Sequence, residues 1–144
     1  MTRRWRRTSS PLNRPNTVNP AELIRSIITS CTYAFNGILL VIRSQRNFRV
    51  HLCAAFVVLL AGVLLHFSRL EMVLLVLTVC LVILGELLNT ALEFILNLLE
   101  ARDHPVVKAA KDVAAGGVFM AVLGSIAVAL LLFGPRLLLL IQRR

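Results

Sequence analysis

Residues 85 to 100 read GELLNTALEFILNLLE and place Glu86, Asn89, Thr90, Glu93, Asn97 and Glu100 in a strongly apolar segment. The residues before them, Leu70 to Leu84, are apolar except for Glu71, Thr78 and Cys80. Successive helix residues turn by about 100°, so relative to Glu86 the other five fall at about −60°, +40°, −20°, +20° and −40°. All six share one stripe, about four turns long. Such a stripe is costly in hydrocarbon and has to face protein or a wet cavity. Interhelical hydrogen bonding through Asn and Glu is one use for it. Carboxylates grouped with amides favour another, because like charges buried together gain nothing without a cation between them.

The segment KAAKDVAAGG supplies the opposite sign. Lys108, Lys111 and Asp112 fall at i, i+3 and i+4, on one helix face, ahead of Gly116-Gly117. Two lysines at a membrane edge suit a polyphosphate, or are simple positive flanks. Facing carboxylates, they suggest metal–nucleotide chemistry: carboxylates hold Mg²⁺ while leaving positions for substrate phosphates. Phosphoryl transfer needs mainly positioning and charge neutralisation. The chain has no GxxxxGK[ST] loop, no HRD or DFG set, and no Ser-His-Asp or zinc pattern. His51 and His66 read as packed or interfacial residues, and Trp5 as a lipid contact. Cys31, Cys53 and Cys80 lack CxxC spacing and read as small hydrophobes.

The elements that must position these residues are membrane elements. Of 144 residues, 58% are hydrophobic, more than a soluble core of this size can hide. Residues 1–20 read as a disordered basic tail with no apolar h-region. Residues 21–46 read as an amphipathic interfacial helix, with a break near Gly37 into two pieces. Residues 50–67 form a first span, and SRLE is a short turn that makes the next helix antiparallel. Residues 70–99 form a second span about 45 Å long, more than the roughly 30 Å of hydrocarbon. Residues 101–109 hold a turn, and 113–134 form a third span ended by Gly134-Pro135; residues 137–144 are a tail. The membrane-embedded unit so defined covers 21–136. Gly117, Ala121 and Ser125 make a small-xxx-small row suited to close helix contact, and a homo-oligomer is expected to close the polar stripe.

Sixteen Lys and Arg face seven Asp and Glu. The basic residues crowd the N-terminal side and the 101–112 segment, with only Arg69, Arg136, Arg143 and Arg144 opposite. That asymmetry places the N-terminus and the 101–112 loop in the cytoplasm, where nucleotides are. It reflects topology and anionic headgroups, so nucleic acid is not an expected partner. A non-enzymatic ion-conducting oligomer is the rival reading. It would need polar residues along the whole span, and residues 72–84 offer only Thr78.

GELLNTALEFILNLLE followed by HPVVKAAKDVAAGGV resembles the small prokaryotic diacylglycerol kinase family, which includes the undecaprenol kinases. The family pattern E-x-x-N-[ST]-A-x-E, then K-D about eighteen residues on, is matched by Glu86, Asn89, Thr90, Ala91, Glu93, Lys111 and Asp112. YAFNGILLVIRSQRNFRVHL resembles the family's N-terminal block, and the likeness covers roughly residues 23–134. The resemblance implies an all-α membrane protein of the bacterial inner membrane: three transmembrane helices, an N-terminal amphipathic helix and a homotrimer. It implies transfer of the ATP γ-phosphate, with Mg²⁺, to a lipid alcohol: diacylglycerol, giving phosphatidic acid, or alternatively undecaprenol. The RNFR block and the HP-to-KD spacing look closer to the undecaprenol branch.

By the same resemblance, Glu86 is the proton acceptor and Asn89 an active-site amide. Glu93 is a metal ligand, and Tyr33, the Arg102–Asp103–His104 stretch, Lys111 and Asp112 contact nucleotide. Three positions depart from the pattern. Gln45 stands where the family has a second metal-binding Glu, Asn97 where an acid is frequent, and Ser26 where a nucleotide-contacting Arg falls, with Arg25 one residue away. An amide such as Gln45 can coordinate through oxygen but brings no charge.

Overall fold

A computed structural model describes residues 19–98 and 104–142. Among them it is all helix: α1 (Pro20–Ser44), α2 (Arg46–Leu64), α3 (Arg69–Leu98) and α4 (Pro105–Gln142). All four are long and apolar enough to cross a membrane, α1 being the least apolar. The chain divides into two compact units, Met1–Phe35 and Asn36–Arg144. The expected tail 1–20 lies outside the described residues except for its last two.

Those two start α1. The Asn19 carbonyl accepts the amides of Glu22 and Leu23, its side-chain oxygen accepts from Ala21 N, and Pro20 follows at the first helical position, where its missing N–H costs nothing. No break occurs at Gly37; α1 is continuous to Ser44. The hydroxyls of Thr29, Thr32 and Ser44 each donate to the carbonyl four residues earlier, so these polar side chains are satisfied within the helix and do not interrupt it. Gln45 alone is extended (φ −107°, ψ 116°), and α2 begins directly after it, at Arg46 rather than 50.

In the second unit α3 is the central helix, packed against α2 and against α4. The α2–α3 connection is compact because both ends are capped by local sequence. Phe67 N donates to Gly62 O and His66 N to Val63 O, which closes α2 with a Schellman-type turn. His66 occupies the left-handed position (φ 53°) usually held by Gly. Ser68 and Glu71 then form a capping box: Glu71 N donates to Ser68 Oγ at 3.4 Å, and Ser68 N to Glu71 Oε2 at 2.7 Å. Gly62 lets the helices approach closely, since a Cβ there would meet Leu75 Cδ2 at 3.1 Å and Met72 Cε at 3.3 Å.

The last helix departs most from expectation. It starts at Pro105, not 113, with the His104 carbonyl accepting Lys108 N, and it runs through Gly134-Pro135 to Gln142. Its 38 residues span about 57 Å, so it outruns a bilayer core. Pro135 removes one helical hydrogen bond without ending the helix, because the next residue is anchored. The Arg136 guanidinium donates to both Glu71 oxygens at 2.8 Å and to Leu132 O at 3.1 Å. It also lies 4.3 Å from the Phe67 ring centroid, and Phe67 in turn stacks on Phe133 at 4.7 Å. This clasp ties the α2–α3 turn to α4.

His66→Gly should relieve the left-handed strain and raise unfolding free energy in detergent by about 1 kcal/mol, whereas the β-branched His66→Val should lower the unfolding midpoint. Thermal unfolding of the two variants beside the wild type checks this.

Candidate functional site

At the other end of α3 the stripe is assembled as the helical angles require. Glu86 and Thr90 are buried, at 5% and 1% exposure, and Asn89 and Glu93 are half-buried. Here α4 packs alongside: a Cβ at Gly85 would make ordinary contact with Val118 at 3.8 Å. Around Glu93 three side chains converge. Asn89 Nδ2 donates to its Oε1 at 3.2 Å, and Gln45 Nε2 to its Oε2 at 3.5 Å. Gln45 is the residue before α2, yet its side chain makes no cap there and reaches across to α3. Asn89 Oδ1 is buried with no hydrogen-bond partner among the described residues.

One turn further out, Lys111 of α4 donates from Nζ to Asn97 Oδ1 at 2.8 Å, which brings the expected lysine to the stripe. Asp112 and Lys108 are exposed. His104 is exposed at the start of α4, where its Nδ1 accepts Val106 N at 3.3 Å. Tyr33 belongs to the first unit and is an exposed side chain of α1. Arg102, Asp103 and Glu100 lie outside the described residues. Among the described residues no group of three His, Cys, Asp or Glu side chains forms a metal cluster. Among the described residues the oxygen donors near Glu93 are therefore one carboxylate and amides.

His51 is a residue that the sequence suggests is packed or interfacial. Its Nε2 lies 3.1 Å from Glu86 Oε1. A usable signal existed in the chain. His51 lies as far before Ser68 as Glu86 lies after Arg69, and Gly62 and Leu75, which touch, are likewise equidistant from that step. An antiparallel hairpin turning at SRLE sets the two opposite each other. His51 also stands at one end of an apolar groove of about 270 Å³ between α2 and α4, floored by α3 residues such as Leu75, Val79 and Val82. Besides His51, Thr78 and Ser125 are the polar lining residues, and both hydroxyls donate to carbonyls of their own helices.

Fold and site together define a multi-pass helical membrane protein with a partly buried carboxylate–amide site at one end of its central helix. Comparison with known proteins is more specific. The family model for prokaryotic diacylglycerol kinase matches residues 32–133. The chain is 37% identical over 126 residues to a diacylglycerol kinase of Synechocystis, covering 87% of this chain and 72% of that protein. It is 40% identical over 108 residues to an undecaprenol kinase of Bacillus subtilis, covering 75% and 88% respectively. It is 30% identical over 98 residues to a diacylglycerol kinase of Pseudomonas aeruginosa, covering 68% and 80%. The chain belongs to the prokaryotic diacylglycerol kinase family and is a lipid kinase.

A buried, unpartnered amide oxygen costs about 1–3 kcal/mol of stability. Asn89→Leu should therefore keep or raise the thermal unfolding midpoint in detergent while phosphotransfer falls by about 100-fold or more. A residue serving only as interhelical glue would do the opposite, with a lower midpoint and retained activity.

Proposed function

We propose that this protein transfers the γ-phosphate of ATP to the hydroxyl of a membrane lipid, diacylglycerol in the first instance. The observation that carries the reading is the line of Glu86, Asn89 and Glu93 along α3, with Lys111 at its outer end and an apolar groove at its inner end. A lipid alcohol and a polyphosphate can meet only where hydrocarbon and charge adjoin, and this line joins the two.

Glu86 accepts the proton of the lipid hydroxyl as the oxygen attacks the γ-phosphorus and ADP leaves. Asn89 orients the reacting groups. Lys111, held over the stripe by Asn97, offsets charge on the transferring phosphoryl group. Tyr33, Arg102, Asp103, His104 and Asp112 are the remaining nucleotide contacts in this reading.

The donors around Glu93 suit a hard cation that keeps several waters: a carboxylate, the unpartnered Asn89 oxygen, and a Gln45 amide that could turn its oxygen inward. Glu93, Asn89 and Gln45 would hold Mg²⁺, which when bound neutralises charge on the ATP phosphates. One carboxylate, the number among the described residues, holds such an ion less tightly than two would.

The lopsided Lys and Arg distribution supports a cytoplasmic N-terminus and α3–α4 connection, with α1 along the interface and α2, α3 and α4 crossing. Gly116, Gly117 and Gly124 have open space where a Cβ would stand, which suits approach of further helices and a homotrimer. Undecaprenol is the second reading of the acceptor, favoured by the 40% identity to the Bacillus subtilis undecaprenol kinase.

Labelled ATP offered with diacylglycerol and with undecaprenol in detergent micelles tests the reading. Phosphatidic acid should form faster; label in undecaprenyl phosphate alone reverses the acceptor assignment, and label in neither sinks the kinase reading. Gln45→Glu should add a second carboxylate beside Glu93. The Mg²⁺ concentration for half-maximal activity should then fall by about tenfold, and an unchanged Mg²⁺ dependence would remove Gln45 from the site.

A further inference from the structure

We infer that His51 is a positioning residue for Glu86, holding one carboxylate oxygen so that the other faces the acceptor hydroxyl. The inference deepens the kinase reading and rests on Glu86 as the proton acceptor. Glu86 is a buried carboxylate, its side chain 6% exposed, and His51 is its one polar partner among the described residues. A buried carboxylate without a donor is costly, and one with a single donor is free to turn about everything except that bond. The donor therefore decides which way it points. His51 Nε2 lies 3.1 Å from Oε1, close enough for an N–H there to hold that oxygen, and the contact does not involve Oε2.

Two further observations say where Oε2 has to point. His51 comes from α2, whose register against α3 is set by the capped turn at Ser68–Arg69, so the donor sits on a rigid element. The same His51 lines the end of the apolar groove. A lipid whose hydrocarbon occupies that groove brings its hydroxyl to the His51–Glu86 pair. The hydroxyl proton then passes to Glu86 Oε2, the new bond forms between the lipid oxygen and the γ-phosphorus, and the bond from that phosphorus to the β–γ bridging oxygen breaks, releasing ADP. His51 donates one hydrogen bond throughout and exchanges no proton in this step. The placement of the carboxylate matters because small errors in a reacting group's position cost large factors in rate.

The test compares wild type, His51→Leu and His51→Gln in micelles, with kcat and both KM values measured and thermal unfolding checked for each. The Gln side chain keeps an N–H at about the reach of Nε2, whereas Leu fills the space without one. His51→Leu should lose kcat by about tenfold or more with both KM values within about twofold, and His51→Gln should recover at least about a third of the wild-type kcat. If His51→Leu does not fold, His51→Asn, whose shorter amide falls short of Oε1, replaces it with the same expectation. A His51→Leu enzyme with wild-type kcat overturns the inference, and so does a folded His51→Gln enzyme as slow as His51→Leu. Wild-type protein inactive on every lipid alcohol would overturn the kinase reading itself, which separates the two failures.

Discussion

A carboxylate buried among hydrocarbon side chains has to be given a partner, and Glu86 shows how much of a fold can follow from that requirement. Glu86 sits on the central helix, so helices on both sides have to cover it. On one side α4 packs beside it, with Val118 next to Gly85. On the other it is α2, which must present a partner at the right height, and His51 Nε2 stands there, 3.1 Å from Oε1. The height is decided well away from the site, by the turn at Ser68–Arg69. A one-residue slip there would rotate α2 by about 100° and take His51 off Glu86. The left-handed His66 and the capping box are thus connected to the His51–Glu86 contact through register.

The two ends of α3 handle their acids differently. Glu71 is saturated: it accepts the Ser68 amide and both arms of Arg136, which itself lies on Phe67. At the other end, among the described residues, Glu93 is held by two amides, Asn89 has an idle oxygen, and Lys111 is tied by a neutral amide. The saturated end stabilises the bundle and lets α4 pass through Pro135. The unsaturated end keeps its donors and acceptors for something else. In a chain with so few acids, that asymmetry separates structural polar residues from working ones better than their sequence neighbourhoods do.

Much of this is legible in the sequence. Helical angles alone put Glu86, Asn89 and Glu93 on one face, and the short SRLE segment requires an antiparallel pair. Elsewhere local rules were outweighed by packing. Pro135 should stop a helix by its missing N–H, but the Arg136–Glu71 clasp, made by residues far apart in the chain, holds it through. His104-Pro105 reads as a turn, yet Pro is at home in a first helical turn, so α4 begins there. Gly37 suggests a break that α1 does not make, because Thr29, Thr32 and Ser44 bond back to the helix around it. His51 was passed over because a lone histidine in an apolar run says little until it is placed by its distance from the turn. Gln45 was read as a substitute ligand from its position. The structure adds that its side chain spans to Glu93 where it could have capped α2.

The central claim is that Glu86 acts in the chemical step and not in holding the bundle or the nucleotide. Single-turnover transfer from labelled ATP in Glu86→Gln, measured together with nucleotide affinity and thermal unfolding, tests it most directly. The variant should fold and bind ATP like the wild type and transfer phosphate at least about a hundredfold more slowly. Transfer at the wild-type rate, or a loss explained wholly by weaker ATP binding, would contradict the account.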